Sequence, residues 1–558
     1  MDIAEALIDA LQQRHVRRVY GVPGDYVLGL FDRLEHSPIE VICTAGEEGA
    51  GFAADAHARL AGLGVAVVTY GVGALKLLNP VAGAYAERSP LLVISGAPGV
   101  RESDANNLLH HMIRSSDTQQ RFFAEVCAAT ARLDSGRTAV AEITKVLTAM
   151  DRESRPGYLE LPRDCLNRPL PWPLPALPRP AGPPQVSPLQ RQRALDLLDW
   201  MRSRQHPMLL AGIELHRFGL EDALQAVLER EGWPFVTSLS AKSLLNEQHP
   251  LYQGLYEGGA GPADVRERVE SSDGLLILGM PLGDIDTGIF TTRFNEVGKV
   301  QVEMERGLLW SGGDLDSLDP AVLLQVWREA ETPAIPAASV AEASVPAASG
   351  GPRVGFKAEA DTPIRVRRLV AALNAVLSPA TVLLADPGDA LFAAADLRLP
   401  AASDFLASAY WSSLGFALPG AIGAWGSAPP EAPKRPLVLL RDGALLMSAI
   451  ELATLARYRI PALVVVLDNG GYGTERPMLD GPFNDVQAID HVGLAKAMGF
   501  GTALRVQLEQ DLEQALTVLL AIDDGPTLLS VALPKDDASD VLRNLTAALG
   551  QRVRAGGG

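Results

Sequence analysis

Short apolar runs alternate with helix-period stretches along almost the whole chain. In the first third the runs fall at Val16 to Tyr20, Val65 to Thr69, Leu91 to Ser95 and Gly157 to Leu161. Runs of this length between helical segments indicate parallel strands buried on both faces, because crossover helices cover such a sheet from each side. The rhythm resumes at Pro207 to Ala211, Pro234 to Thr237, Gly274 to Leu278 and Val300 to Val302. It returns a third time at Thr381 to Ala385, Pro436 to Leu440, Ala462 to Leu467 and Pro526 to Val531. Met1 to Leu11 reads as an amphipathic helix, with acids where a signal peptide needs a basic start and an apolar run.

Two stretches interrupt the rhythm. Pro169 to Pro184 is rich in proline, as an extended linker is, and residues 331–360 are rich in Ala, Pro, Ser and Gly. The chain therefore divides into α/β units at 1–168, 188–330 and 361–545, with 331–360 as linker. Each unit is expected to be a doubly wound, mainly parallel sheet. A length of 558 residues agrees with about three domains.

Composition narrows the function classes. With 67 acidic against 49 basic residues the formal charge is −18, and no basic stripe offsets it, so nucleic acid and anionic membrane surfaces are not expected partners. The apolar runs are of strand length, far short of the roughly 20 residues of a membrane span. Cys43, Cys127 and Cys165 form neither a disulfide framework nor a C-x-x-C pair, which suits a reducing cytoplasm.

Candidate chemistry gathers in the third unit. Leu437 to Leu440 reads as a strand, Arg441 to Ala444 as the turn after it and Leu445 to Arg457 as a helix. Strand, turn and helix N-terminus present free N–H groups to an anion. The next strand ends in Leu467-Asp468-Asn469-Gly470-Gly471-Tyr472, at the edge where open α/β sheets place ligands. Asp442, Asn469 and a carbonyl of the Gly470-Gly471 turn would offer Mg²⁺ the hard oxygens it needs. Ordinary strand-end turns use the same residue types. In the first unit Glu47 and Glu48 open a small-residue helix, where acids also simply complement the helix dipole. A His110-His111 pair, out of context, is a solvated loop feature.

Together these segments resemble the thiamine-diphosphate enzymes. Asp442 and Asn469 match the metal-binding Asp and second Asn of their Gly-Asp-Gly…Asn-Asn motif, and Gly471 the residue whose carbonyl reaches the metal. Arg441 replaces the first Gly and Asp468 the first Asn. Glu47, Phe52, Ala53, Ala54, Asp55, Ala58 and Arg59 follow the Glu-x-x-x-x-aromatic-Ala-Ala-Asp-x-x-Ala-Arg pattern, which selects Glu47 over Glu48. Tyr20 to Asp25, Thr69 to Gly73, Leu78-Asn79 and Gly83 to Glu87 extend the match.

The resemblance is to the pyruvate, indolepyruvate and phenylpyruvate decarboxylase group, through His110-His111, the Asp25 of Pro-Gly-Asp and the Glu475 of Gly-Tyr-x-x-Glu. It implies a pyrimidine-binding, a middle and a diphosphate-binding domain, with thiamine diphosphate and Mg²⁺ as cofactors. It implies non-oxidative decarboxylation of a 2-keto acid to an aldehyde through an enamine on the cofactor. Glu47 would activate the aminopyrimidine, Glu475 would lie near the substrate carboxylate, and Asp25, His110 and His111 would relay protons. Gly388, Asp389, Ser412, Leu414, Gly443, Ala444, Tyr472 and Thr474 would complete the cofactor site, with Leu414 propping its bent shape. Ile285, Leu391, Trp411, Thr474 and Met478 would line the substrate pocket, and Ile285, where pyruvate enzymes tend to place an aromatic, leaves room for an aromatic or longer aliphatic keto acid. A homodimer, or a dimer of dimers, with active sites at the subunit interface follows from the same resemblance. Two alternatives remain: a carboligase that makes acyloins, and a degenerate scaffold homologue, which Arg441 motivates.

Overall fold

The computed structural model describes residues 1–104, 107–171, 182, 184–294, 298–310, 313–315, 318–331 and 356–555. Three sheets organise them. The first contains β1 (Arg18–Gly21), β2 (Glu40–Cys43), β3 (Gly64–Val68), β4 (Leu91–Ala97), β5 (Ala129–Arg132) and β6 (Gly157–Pro162) in the order β2-β1-β3-β4-β6-β5. The second contains β7 (Pro207–Ala211), β8 (Phe235–Thr237), β9 (Tyr252–Leu255), β10 (Gly274–Leu278), β11 (Lys299–Glu303), β12 (Gly307–Trp310) and β13 (Gly313–Leu315). Its order is β13-β12-β11-β10-β7-β8-β9, and β12 and β13 run antiparallel while the rest pair in parallel. The third contains β14 (Thr381–Ala385), β15 (Asp404–Ala407), β16 (Arg435–Arg441), β17 (Leu463–Asp468), β18 (Thr502–Val506) and β19 (Thr527–Ala532). Its order, β15-β14-β16-β17-β19-β18, repeats the topology of the first sheet.

Every strand read from an apolar run is present to within about two residues at each end. The strands that the pattern missed, β2, β5, β9, β12, β13, β15 and β18, lie at or next to sheet edges, and burial is interrupted in several of them, as in β2, where only Ile42 is fully buried, and β18, where only Ala503 and Val506 are. An edge strand is covered on fewer sides, so it needs no continuous apolar run. Most of the two expected linkers, 172–181, 183 and 332–355, lies outside the described residues. The last helix, Asp540–Ala555, runs past the boundary expected at 545.

Two helices brace the first and third units against each other. In the helix Glu47–Ala61 the alanines Ala53, Ala54 and Ala56 are wholly buried. The helix Ala417–Ser427 packs on it so closely that a Cβ at Gly423 would lie 1.9 Å from the Ala53 carbonyl oxygen. Small residues on both faces are what this approach requires. The expected single helix Leu445–Arg457 is instead two, Asp442–Ser448 and Glu451–Arg457, and Arg441 closes the strand instead of opening a turn. The break turns the chain so that the Glu451 carboxylate meets backbone N–H groups of Ala45 and Gly46 in the first unit, at 3.2 and 2.9 Å.

At the junction of the second and third units Glu257 is 2% exposed and faces a cavity shared with Asp396 and Lys242. Burial first, and then the charges of Asp396 and Asp286, push its carboxyl from 4.5 up to about 8. A folded-state pKa above the unfolded one contributes stability below the unfolded value that is lost as pH rises through the folded one. Melting curves of the parent and of Glu257→Gln should therefore diverge between about pH 5 and pH 8, the parent losing ground as pH rises. Parallel pH profiles would contradict this.

Candidate active site

A cavity of about 260 Å³ opens at the carboxyl ends of β14, β16 and β17. Gly388 and Leu391 reach it from the segment after β14, Ser412 and Leu414 from the loop after β15, and Gly443 and Ala444 from the segment after β16. Gly471, Tyr472, Thr474, Glu475 and Met478 follow β17, and Ile285 enters from the second unit. Residues as far apart in sequence as Ile285 and Met478 thus line one cavity. Gly388 has φ +96, a left-handed conformation that glycine adopts without strain. A Cβ at Gly443 would lie 2.7 Å from the Tyr472 ring, so a side chain there would displace that ring.

The metal-type ligands sit together beside the cavity. Asp442 is buried, and its two carboxylate oxygens accept N–H bonds from Gly443 at 2.8 Å and Gly470 at 2.7 Å. These bonds tie the ends of β16 and β17 to each other. Burial pushes the Asp442 carboxyl above its ordinary value. One terminal atom of the Asn469 amide lies 3.2 Å from the Gly471 carbonyl oxygen and the other 3.1 Å from Arg441 Nη1. With its nitrogen toward Gly471 the amide makes two hydrogen bonds within the protein. With its oxygen there, two oxygens face each other as they do around a shared cation. Carboxylate, amide oxygen and carbonyl form a hard donor set that fits Mg²⁺.

Other expected residues stand apart from this cavity. Asp389 is wholly buried and turned to Arg441 and Ser539. Arg441 does not meet Asp468, which pairs with Arg505 at 2.9 Å. Trp411 donates to Asn79 at 3.0 Å and covers Gly83, outside the lining.

The first unit holds a second cluster. His110 Nε2 lies 2.8 Å from Asp25 Oδ2, its ring stacks on Tyr26 at 4.8 Å, and the His111 ring is 4.7 Å away. One ligand atom from each of Asp25, His110 and His111 lies within 4.8 Å of the others. His111 has φ 66, and a Cβ at Gly71 would come within 2.5 Å of its carbonyl oxygen, so Gly71 must be glycine. Glu47 is 9% exposed at the head of its helix and accepts from Lys76 at 2.9 Å. Among the described contacts of a single chain, none joins Glu47, Asp25 or the histidines to the cavity of the third unit.

Sequence reasoning missed several supports of these groups. Glu451 anchors the residues just before Glu47. Asp386 accepts from Gly415 and Ala417 N–H at 3.1 and 2.8 Å, holding the Leu414 loop, and burial pushes its carboxyl up to about 7. Gln119 accepts from Gly71 N–H at 2.6 Å behind His111. Leu545, Thr546 and Leu549 of the last helix wall the cavity. Only the isolated acids within apolar runs signal any of this in the sequence.

Three family models match the chain: thiamine pyrophosphate enzyme, N-terminal TPP binding domain, at residues 1–121; central domain, at 194–307; and C-terminal TPP binding domain, at 386–531. The chain is 34% identical to the indole-3-pyruvate decarboxylase of Azospirillum brasilense over 562 residues, covering 97% of each. It is 31% identical to the alpha-keto-acid decarboxylase of Mycobacterium tuberculosis (strain ATCC 25618 / H37Rv), over 98% of this chain and 97% of the relative. With the alpha-keto-acid decarboxylase of Mycobacterium leprae (strain TN) the identity is 30%, over 97% and 94%.

Proposed function

The chain belongs to the thiamine pyrophosphate enzyme family, and from that membership we propose that it decarboxylates an aromatic or longer aliphatic 2-keto acid to an aldehyde and CO₂. The observation that carries the substrate reading is the cavity wall, where Ile285, Leu391, Phe392, Met478, Leu545 and Leu549 surround a space with Glu475 at its side. Apolar walls of this kind suit a ring or a long alkyl chain.

Asp442, Asn469 and the Gly471 carbonyl would hold Mg²⁺, and Gly388, Ser412, Leu414, Gly443, Ala444, Tyr472 and Thr474 would surround the cofactor. Thiamine diphosphate, when bound, supplies the electron sink for the carbon–carbon bond that breaks. Glu47 holds a proton-accepting carboxylate in a nearly dry position. Glu475 would lie near the substrate carboxylate, and the apolar wall of the cavity would disfavour that charge and favour its departure as CO₂. Asp25 and His110 are hydrogen-bonded to each other with the His111 ring beside them, and this group would deliver the proton the product aldehyde requires.

A homodimer would complete the site. Leu446, Met447 and Ile450 are about half exposed on the segment between Asp442 and Glu451, next to Gly46. Covering this apolar patch with a second copy would bring Glu47 of one subunit to the cavity of the other, and a dimer of dimers extends the same scheme. Three free cysteines suit a cytoplasmic setting. Among the described residues no helix is long and apolar enough to cross a membrane.

Product analysis with phenylpyruvate, indolepyruvate and pyruvate, each with and without added aldehyde, tests the reading. Free aldehyde should dominate, with the two aromatic acids turned over faster than pyruvate. Hydroxyketone as the main product at low aldehyde would favour carboligation instead.

A further inference from the structure

Arg441 stands immediately before Asp442 at the end of β16, and its guanidinium lines the cavity. It is buried, at 6% exposure. Nη2 lies 3.1 Å from Asp389 Oδ2, while Asp389 Oδ1 accepts from Ser539 N at 3.0 Å and from Ser539 Oγ at 2.5 Å. Nη1 lies 3.1 Å from the Asn469 amide, and Nε is buried with no acceptor. A Cβ at Gly473 would come within 1.8 Å of Nη1, so the guanidinium occupies the space a side chain there would need.

This arrangement is incomplete in one direction. A buried guanidinium carries five N–H donors, and leaving one without an acceptor is costly. Each terminal nitrogen carries two N–H groups and has one partner within the protein, so an anion in the cavity would supply further acceptors there. Asp442 sets a buried carboxylate beside the place that must receive a diphosphate, and like charges there oppose it. Arg441 is the cation next to that carboxylate, held by one Asp389 oxygen while Ser539 takes the other, so that the guanidinium stays at the cavity.

We propose that Arg441, held by Asp389, is a fixed counter-ion for the diphosphate of thiamine diphosphate in this chain, and that it takes over part of the neutralisation otherwise left to Mg²⁺. The proposal rests on the cofactor reading above. It makes Arg441 and Asp389 a compensated pair, so that neither substitution is tolerated without the other.

Calorimetric titration with thiamine diphosphate, in Mg²⁺ and in EDTA, tests it on the full-length parent, Arg441→Gly, Arg441→Lys and Arg441→Gly/Asp389→Thr. The parent should keep measurable binding in EDTA. Arg441→Gly should lose about tenfold to a hundredfold of that metal-free affinity, the range expected for a charge-assisted contact. Arg441→Lys should keep most of it. The double variant, freed of an unpaired buried carboxylate, should melt close to the parent and bind in Mg²⁺ but not in EDTA. Metal-free binding by the double variant equal to the parent's would overturn the proposal, as would equal losses in the Gly and Lys variants. A parent that fails to bind even with Mg²⁺ would instead sink the cofactor reading itself.

Discussion

Asp442→Ala should fold and yet lose thiamine diphosphate, with affinity down by about two orders of magnitude or more, the usual cost of removing one partner of a buried charged contact. Asp442 does two things at once. Its carboxylate oxygens hold Gly443 and Gly470 N–H, which sets the spacing between the two strand ends, and the same group would head the proposed oxygen donor set for Mg²⁺. Alanine removes both. Calorimetry gives the affinity, and a melting curve shows whether the strand ends remain joined. A variant that binds cofactor and Mg²⁺ as the parent does would mean the metal site lies elsewhere.

Glu47→Gln should behave in the opposite way. The substitution keeps shape and hydrogen-bonding reach but removes the basic carboxylate, so cofactor affinity should change little while turnover falls by about 10²–10⁴-fold, the range of a positioned acid–base group. The head of the helix is fixed independently by Glu451 on Ala45 and Gly46, so the variant should not loosen it. Steady-state kinetics beside calorimetry separates the two effects. Full activity in Glu47→Gln would move the assignment to Glu48, which bonds Asn79 at 2.9 Å.

The buried strands and the cavity were legible in the sequence for the same reason. A central parallel strand must be apolar throughout, and its carboxyl end must carry the polar turn that receives a ligand. Leu437 to Asp442 and Leu463 to Asn469 state both facts in single short stretches. Edge strands such as β5 were not legible, because exposure on one side permits the mixed pattern Ala129-Thr130-Ala131-Arg132. The split of the helix after Asp442 was equally hidden, since its reason is a contact with Ala45 and Gly46 roughly 400 positions earlier. The partner of Arg441 was hidden for the same kind of reason. Asp468 is closer in sequence, but it sits one strand over and is taken by Arg505, which left Asp389.

The central claim is that this chain is built to hold thiamine diphosphate with a metal between β16 and β17. Calorimetric titration of metal-stripped protein with thiamine diphosphate, with and without Mg²⁺, tests it most directly. The account predicts saturable binding of one cofactor per chain, tightened by Mg²⁺. No binding at high micromolar cofactor in the presence of Mg²⁺ would contradict it.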